Sequence, residues 1–139
     1  DMGDVIAVSL VDGHELWRAT VFAGSRIPTV SIDGDHLVVG TSRGLIGLSA
    51  QSGGTRWEVP GDGTAFSSAA IADGVAYAVT LDGLVVAVDI ETGSTVWTIS
   101  TPVTGSYGHN GRPTFLPQPG VANGRVAFTN SHGWVYVIA

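Results

Sequence analysis

Gly40-Thr41-Ser42-Arg43-Gly44 fits G-x-S-x-G, the turn that presents a nucleophilic serine in many hydrolases. That chemistry needs a strand, a sharp turn and then a helix, so that the hydroxyl stands clear at the end of a sheet. Here LIGLSA follows, which has the composition of a strand. The same place recurs as Val79-Thr80-Leu81-Asp82-Gly83 and as Thr129-Asn130-Ser131-His132-Gly133, so Ser42 reads as a residue of a repeated turn. Acidic pairs at Asp33/Asp35 and Glu58/Asp62 could offer oxygens to Ca2+, which takes roughly six to eight. Neither pair follows D-x-[DN]-x-[DN]-G, and Asp33 is accounted for as the first residue of a hairpin turn. His14, His36, His109 and His132 show no metal-ligand spacing such as H-E-x-x-H.

Two absences narrow the chemistry further. Without cysteine there is no thiolate metal site, no disulfide and no cysteine nucleophile. Without lysine there is no phosphate-binding G-x-x-x-x-G-K-[ST] loop, no Schiff base and no S-x-x-K site, since all six positive residues are arginines. A net charge of −6 disfavours nucleic acid and anionic lipid. The richest stretch for recognition is residues 101–120, TPVTGSYGHNGRPTFLPQPG, where Tyr107, His109, Asn110, Arg112 and Gln118 combine stacking with hydrogen bonding. It exceeds the corresponding connection after Trp57 by about ten residues, and long loops within compact repeats are often functional.

The elements that hold these residues follow from self-similarity. Trp17, Trp57 and Trp97 lie forty residues apart, each four residues after a glycine, at Gly13, Gly53 and Gly93. Asp33-Gly34, Asp73-Gly74 and Asn123-Gly124 each precede an apolar run, and such pairs favour two-residue type I′ hairpins. The best-preserved unit divides into four strands near 68–72, 75–80, 84–89 and 95–99. No segment has the period and caps of a helix. LVVG, VAYAV, LVVAV and WVYVI are near-continuous apolar runs, as a sheet buried on both faces requires. Small residues at Ser67, Ser68, Ala69 and Ala70 suit a crowded place. Four-stranded antiparallel sheets packed face to face, first strand innermost, satisfy both patterns: an all-β fold, a β-propeller. Low charge, 13% against about 25% in an average domain, follows from such packing.

The units resemble the PQQ-like, or quinoprotein-type, propeller family, whose repeats carry a tryptophan-docking motif A-x-D-x-x-T-G-x-x-x-W. The third unit matches throughout, with Ala87, Asp89, Thr92, Gly93 and Trp97. The first keeps Ala7, Gly13 and Trp17 but has Ser9 and Asp12 at the acidic and threonine positions. In the second, Gly47, Ser49 and Ser52 replace alanine, aspartate and threonine, while Gly53 and Trp57 remain. The resemblance implies that the tryptophans pack between neighbouring blades in a structural role. Trp134, after its turn glycine, reads as blade-face packing. The chain then opens and stops inside third strands, 4–9 and 134–139, and holds thirteen strands. That is one partial domain, 1–139, of about three and a quarter blades, with units near 1–35, 36–74, 75–124 and 125–139. The family's rings have seven or eight blades.

The resemblance implies a non-catalytic interaction, scaffold or sensor module outside the cytoplasm, whose partner is another protein or further blades. A fragment of a PQQ-dependent alcohol or sugar dehydrogenase is the alternative, and only there would PQQ and Ca2+ be needed; this segment shows no ligand set for either. No nucleic-acid partner and no membrane insertion are expected. In the family, the turns that hold Arg43, Asp82 and His132 open on the same propeller face as the connection 101–120. Together with Tyr107, His109, Asn110 and Arg112 they form the expected interaction face.

Overall fold

Tight turns and apolar runs alternate among the described residues, and within each of four sheets every strand pairs antiparallel with its neighbour in chain order. The computed structural model describes residues 3–21, 30–62, 64–101, 118–130 and 133–139. These form thirteen strands and no helix. Sheet 1 holds β1 (Gly3–Val8) and β2 (Glu15–Val21). Sheet 2 runs β3 (Val30–Asp33), β4 (His36–Gly40), β5 (Gly44–Ser49) and β6 (Thr55–Pro60). Sheet 3 repeats this with β7 (Ala70–Ala72), β8 (Val75–Val79), β9 (Leu84–Asp89) and β10 (Thr95–Ser100). Sheet 4 contains β11 (Gly120–Ala122), β12 (Arg125–Thr129) and β13 (Val135–Ile138).

Three apolar layers join the sheets. Leu37, Val39 and Leu48 meet Val5, Trp17 and Ala19 between sheets 1 and 2. Val38, Leu45 and Trp57 meet Ala76, Val86 and Val88 between sheets 2 and 3. Val79 and Val85 meet Val126 and Phe128 between sheets 3 and 4. Adjacent residues of one strand thus face opposite neighbours, which is why β4, β5, β8 and β9 read as unbroken apolar runs. β13 read the same way, yet Val135 and Val137 are exposed while Tyr136 and Ile138 face sheet 3. Only one side of sheet 4 is covered among the described residues. Trp134 is likewise half exposed.

The first strands lie side by side, β3 against β7 and β7 against β11. Crowding there is severe: a Cβ on Gly40 would sit 2.2 Å from the carbonyl oxygen of Ser67. Ser67, Ser68, Ala69 and Ala70 are all buried. Gln118 donates through Nε2 to the carbonyl of Ala69 at 2.6 Å, and the Ser31 hydroxyl donates to the same oxygen, so one carbonyl ties three sheets together. Successive four-stranded sheets packed around their first strands are consecutive blades of a β-propeller.

One turn departs from the sequence expectation. In sheets 3 and 4 the central pairs Asp73-Gly74 and Asn123-Gly124 all have positive φ, as type I′ requires. In sheet 2, Asp33 pairs with His36 across Gly34-Asp35, and of that pair only Gly34 has positive φ. The loop has slipped one residue towards the C-terminus, into a form led by glycine. Asp33 ends β3, and Asp35 takes the place that Gly74 holds in sheet 3. The β4–β5 turn is one residue shorter than the β8–β9 turn, Thr41 N bonding Gly44 O where Thr80 N bonds Leu84 O. The two shifts cancel, and the forty-residue period survives.

Candidate functional site

Each third-to-fourth-strand turn is built alike. Ser9 N bonds His14 O, Ser49 N bonds Gly54 O and Asp89 N bonds Ser94 O, while Gly13, Gly53 and Gly93 close the inner bond with φ between 73 and 76°. Beyond the turn the register shifts by one residue, at Leu16, Arg56 and Val96. Such a bulge re-aims the residue that follows it, here the tryptophan. Trp17, Trp57 and Trp97 thereby become direct cross-strand partners of Ala7, Gly47 and Ala87. Small residues are needed there because the indole folds over its partner: a Cβ on Gly47 would lie 2.1 Å from Trp57 Cε2.

The other side of each indole meets the next sheet. Trp17 Nε1 donates to the carbonyl of Ala50 at 2.9 Å, and Trp57 Nε1 to that of Ile90 at 2.7 Å. Their rings lie over Gly53 and Gly93, where an added Cβ would approach ring atoms to 2.5 and 2.6 Å. Trp97 rests on Tyr77, ring centroids 5.9 Å apart, within the layer shared with sheet 4. At Gly13 no described atom lies within 4 Å of a built Cβ, and Leu10 is fully exposed.

These turns differ in how their amides are held. Asp89 Oδ1 accepts from Glu91 N at 3.1 Å, Thr92 N at 2.8 Å and Thr92 Oγ1 at 2.9 Å. In sheet 2, Ser49 Oγ accepts from Ser52 N, and Gln51 N donates instead to Asp35 Oδ1 at 2.7 Å. Both carboxyls are held below the usual carboxylate range, Asp89 by the Thr92 amide and hydroxyl, Asp35 by the Gln51 amide and then Ser49 and Arg56. Arg56 pairs with Asp35, and His36 Nε2 stands 3.6 Å from Glu91 of sheet 3. None of this was visible in the sequence, where Ser49 reads only as a lost aspartate. The bulge had a signal: without it Ala7 and Trp17 would face opposite sides of their sheet.

The opposite turns carry the expected interaction face. Thr41 Oγ1 accepts from Arg43 N and Gly44 N, Thr80 Oγ1 from Leu84 N, and Asn130 Oδ1 from Trp134 N, so these side chains brace their turns. β4 ends at Gly40 and β5 begins at Gly44, so Ser42 lies in the hairpin turn between two strands. Gly61 N donates to Arg43 O at 2.6 Å, and Thr101 N donates to Gly83 O at 3.0 Å. The outer-to-inner connections after β6 and β10 therefore leave from this face. Arg43 and Asp82 are exposed on it, and Arg43 also lines a cleft of about 540 Å3 between sheets 1 and 2 with Thr20, Thr55 and Glu58. Tyr107, His109, Asn110, Arg112 and His132 lie outside the described residues.

PQQ with Ca2+ would require carboxylate oxygens gathered beside cationic donors. Asp35 is engaged by Gln51, Ser49 and Arg56, and the described residues hold no cluster of three His, Asp or Glu. No helix among the described residues is long and apolar enough to cross a membrane.

No curated protein sequence matches the chain. Among solved structures it is similar to BamB from Moraxella catarrhalis, at 26% identity and TM-score 0.74, covering 98% of this chain and 39% of that one. Quinohemoprotein alcohol dehydrogenase ADHIIG from Pseudomonas putida HK5 shares the fold at 19% identity and TM-score 0.75, over 88% of this chain and 20% of that one. The computationally designed Ika4 protein does so at 17% identity and TM-score 0.77, over 98% and 79%. The chain thus spans about two fifths of the BamB structure. A family model described as outer membrane protein assembly factor BamB matches residues 1–138, and with it the repeated turns, bulges and indole contacts find their place: the chain belongs to that family.

Proposed function

We propose that the chain is a non-catalytic propeller segment that presents a protein-interaction face, working outside the cytoplasm. The family match over residues 1–138 carries this reading, supported by the 26% identity to BamB. The likeness to the dehydrogenase, at 19%, is one of fold. Within the segment, Ala7, Gly13, Trp17, Gly53, Trp57, Ala87, Asp89, Thr92, Gly93 and Trp97 serve as joints between blades. The exposed Leu10 and Gly13 turn corresponds to the Ala50/Gly53 and Ile90/Gly93 turns, each covered by the preceding sheet's indole. By that periodicity it is the seat for a tryptophan of a further blade. The face that meets a protein partner is formed by Arg43, Asp82 and His132 with Tyr107, His109, Asn110 and Arg112.

Photo-crosslinkers placed singly at 43, 82, 107, 109 and 112, with controls at Glu15 and Arg125, test the face. Crosslinks to outer-membrane assembly proteins at the five face positions and not at the controls are expected. Crosslinks confined to the controls would move the interface elsewhere. The dehydrogenase alternative is tested by incubation with PQQ and Ca2+ followed by dye-linked oxidation of alcohols and sugars. Quinone retained through gel filtration, together with dye reduction, would overturn the non-catalytic reading.

A further inference from the structure

The turn that receives Trp17 lacks the aspartate on which its counterpart in sheet 3 depends, yet the two turns have the same backbone bonds. In sheet 3 one carboxylate oxygen of Asp89 serves the amides of Glu91 and Thr92. In sheet 2 the equivalent amides belong to Gln51 and Ser52. Ser52 N is taken by Ser49 Oγ at 3.2 Å, and Gln51 N by Asp35 Oδ1 at 2.7 Å. The Ser49 hydroxyl lies 3.1 Å from the same Asp35 oxygen, which joins the two acceptors into one unit.

Asp35 can reach the turn because the β3–β4 hairpin has slipped. Ala50 N bonds Asp35 O at 3.0 Å, as Ile90 N bonds Gly74 O at 3.0 Å, so Asp35 stands where sheet 3 has a glycine without a side chain. Arg56, one residue before Trp57, holds the other carboxylate oxygen. The carbonyl of Ala50, flanked by Ser49 and Gln51, is the one that accepts Trp17 Nε1. We propose that Asp35 is the positioning residue of the Trp17 seat: acting through Gln51 N and Ser49, it does with Ser49 what Asp89 does alone in sheet 3. The joint between sheets 1 and 2 is thereby set by a residue outside the tryptophan motif. This inference is independent of the interaction face and of its partner.

The test follows the Trp17 indole N–H resonance and the exchange of the Gln51 amide in the otherwise unaltered chain. Asp35→Ala should shift the Trp17 signal, leave that of Trp57 in place, and speed Gln51 exchange by about tenfold or more, the factor for losing a bond to a charged acceptor. Adding Ser49→Asp to Asp35→Ala should restore both readouts, because it rebuilds the sheet 3 arrangement. Asp35→Asn keeps an acceptor oxygen and should fall between; it also serves if Asp35→Ala fails to fold. An unmoved Trp17 resonance in Asp35→Ala, or no recovery with Ser49→Asp, would overturn the proposal.

Discussion

A carboxylate at the mouth of a four-residue turn can accept from more than one of its amides, and Asp89 does so from Glu91 and Thr92. Hydrogen bonds to the charged form lower the pKa, as they do for Asp89 and for Asp35. A carboxylate lowered on folding adds stability above its unfolded value of about 3.9 and loses it as pH falls through the folded value. Both turns should therefore loosen below about pH 4 and be insensitive between about pH 5 and 7. Thermal midpoints followed from neutrality to pH 2.5 should fall more steeply in the unaltered chain than in Asp89→Asn. Parallel curves would mean that Asp89 does not hold its turn. The third unit's motif made Asp89 legible. Asp35 was not, because its partner lies sixteen residues away along the chain and depends on a hairpin slip that leaves the period unchanged.

Strands meet across sheets through apolar layers that each include an indole, and the element that aims each indole is the bulge before its tryptophan. Trp57 is 8% exposed, folds over Gly47 and reaches Ile90 O. Trp57→Ala should cost about 3 to 5 kcal/mol, from lost apolar contact and the cavity left behind. Trp57→Phe keeps most of the ring but orphans the Ile90 carbonyl, at about 1 to 3 kcal/mol. Trp97→Ala should cost less than Trp57→Ala, since Trp97 is less buried and its contacts are Tyr77 and the sheet 4 layer. Urea unfolding of the three variants checks the order, and an equal cost for Trp57→Phe and the unaltered chain would remove the hydrogen bond from the joint. The strands themselves were legible, with β9 falling on the expected 84–89 and β10 within one residue of 95–99. The slipped β3–β4 turn was not, because Asp33-Gly34 and Gly34-Asp35 both satisfy hairpin preferences and only the cross-strand register decides between them.

At the scale of the molecule, stability in a stacked repeat is a sum of each unit's own strength and its contacts with neighbours. Sheets 2 and 3 are packed on both faces, with Val38, Leu45, Ala76, Val85 and Val88 at 0 to 1% exposure. Among the described residues, sheets 1 and 4 are packed on one face, and their outer sides carry Ile6, Val8 and Leu16 and then Val135 and Val137, all between 44 and 65% exposed. Opening free energies should follow this layering. Amides of β4, β5, β8 and β9 should exchange slowest, and those of β1, β2 and β13 faster by roughly 100-fold or more, the spread expected between core and frayed elements. Exposed apolar faces of this kind also favour association. The exchange experiment is therefore run at two protein concentrations about tenfold apart. Slow exchange in β1 and β13 that weakens on dilution would show the outer faces covered by other copies of the chain. Uniform protection at both concentrations would contradict the layering itself, because sheets with one bare face would then be as firmly held as sheets with none.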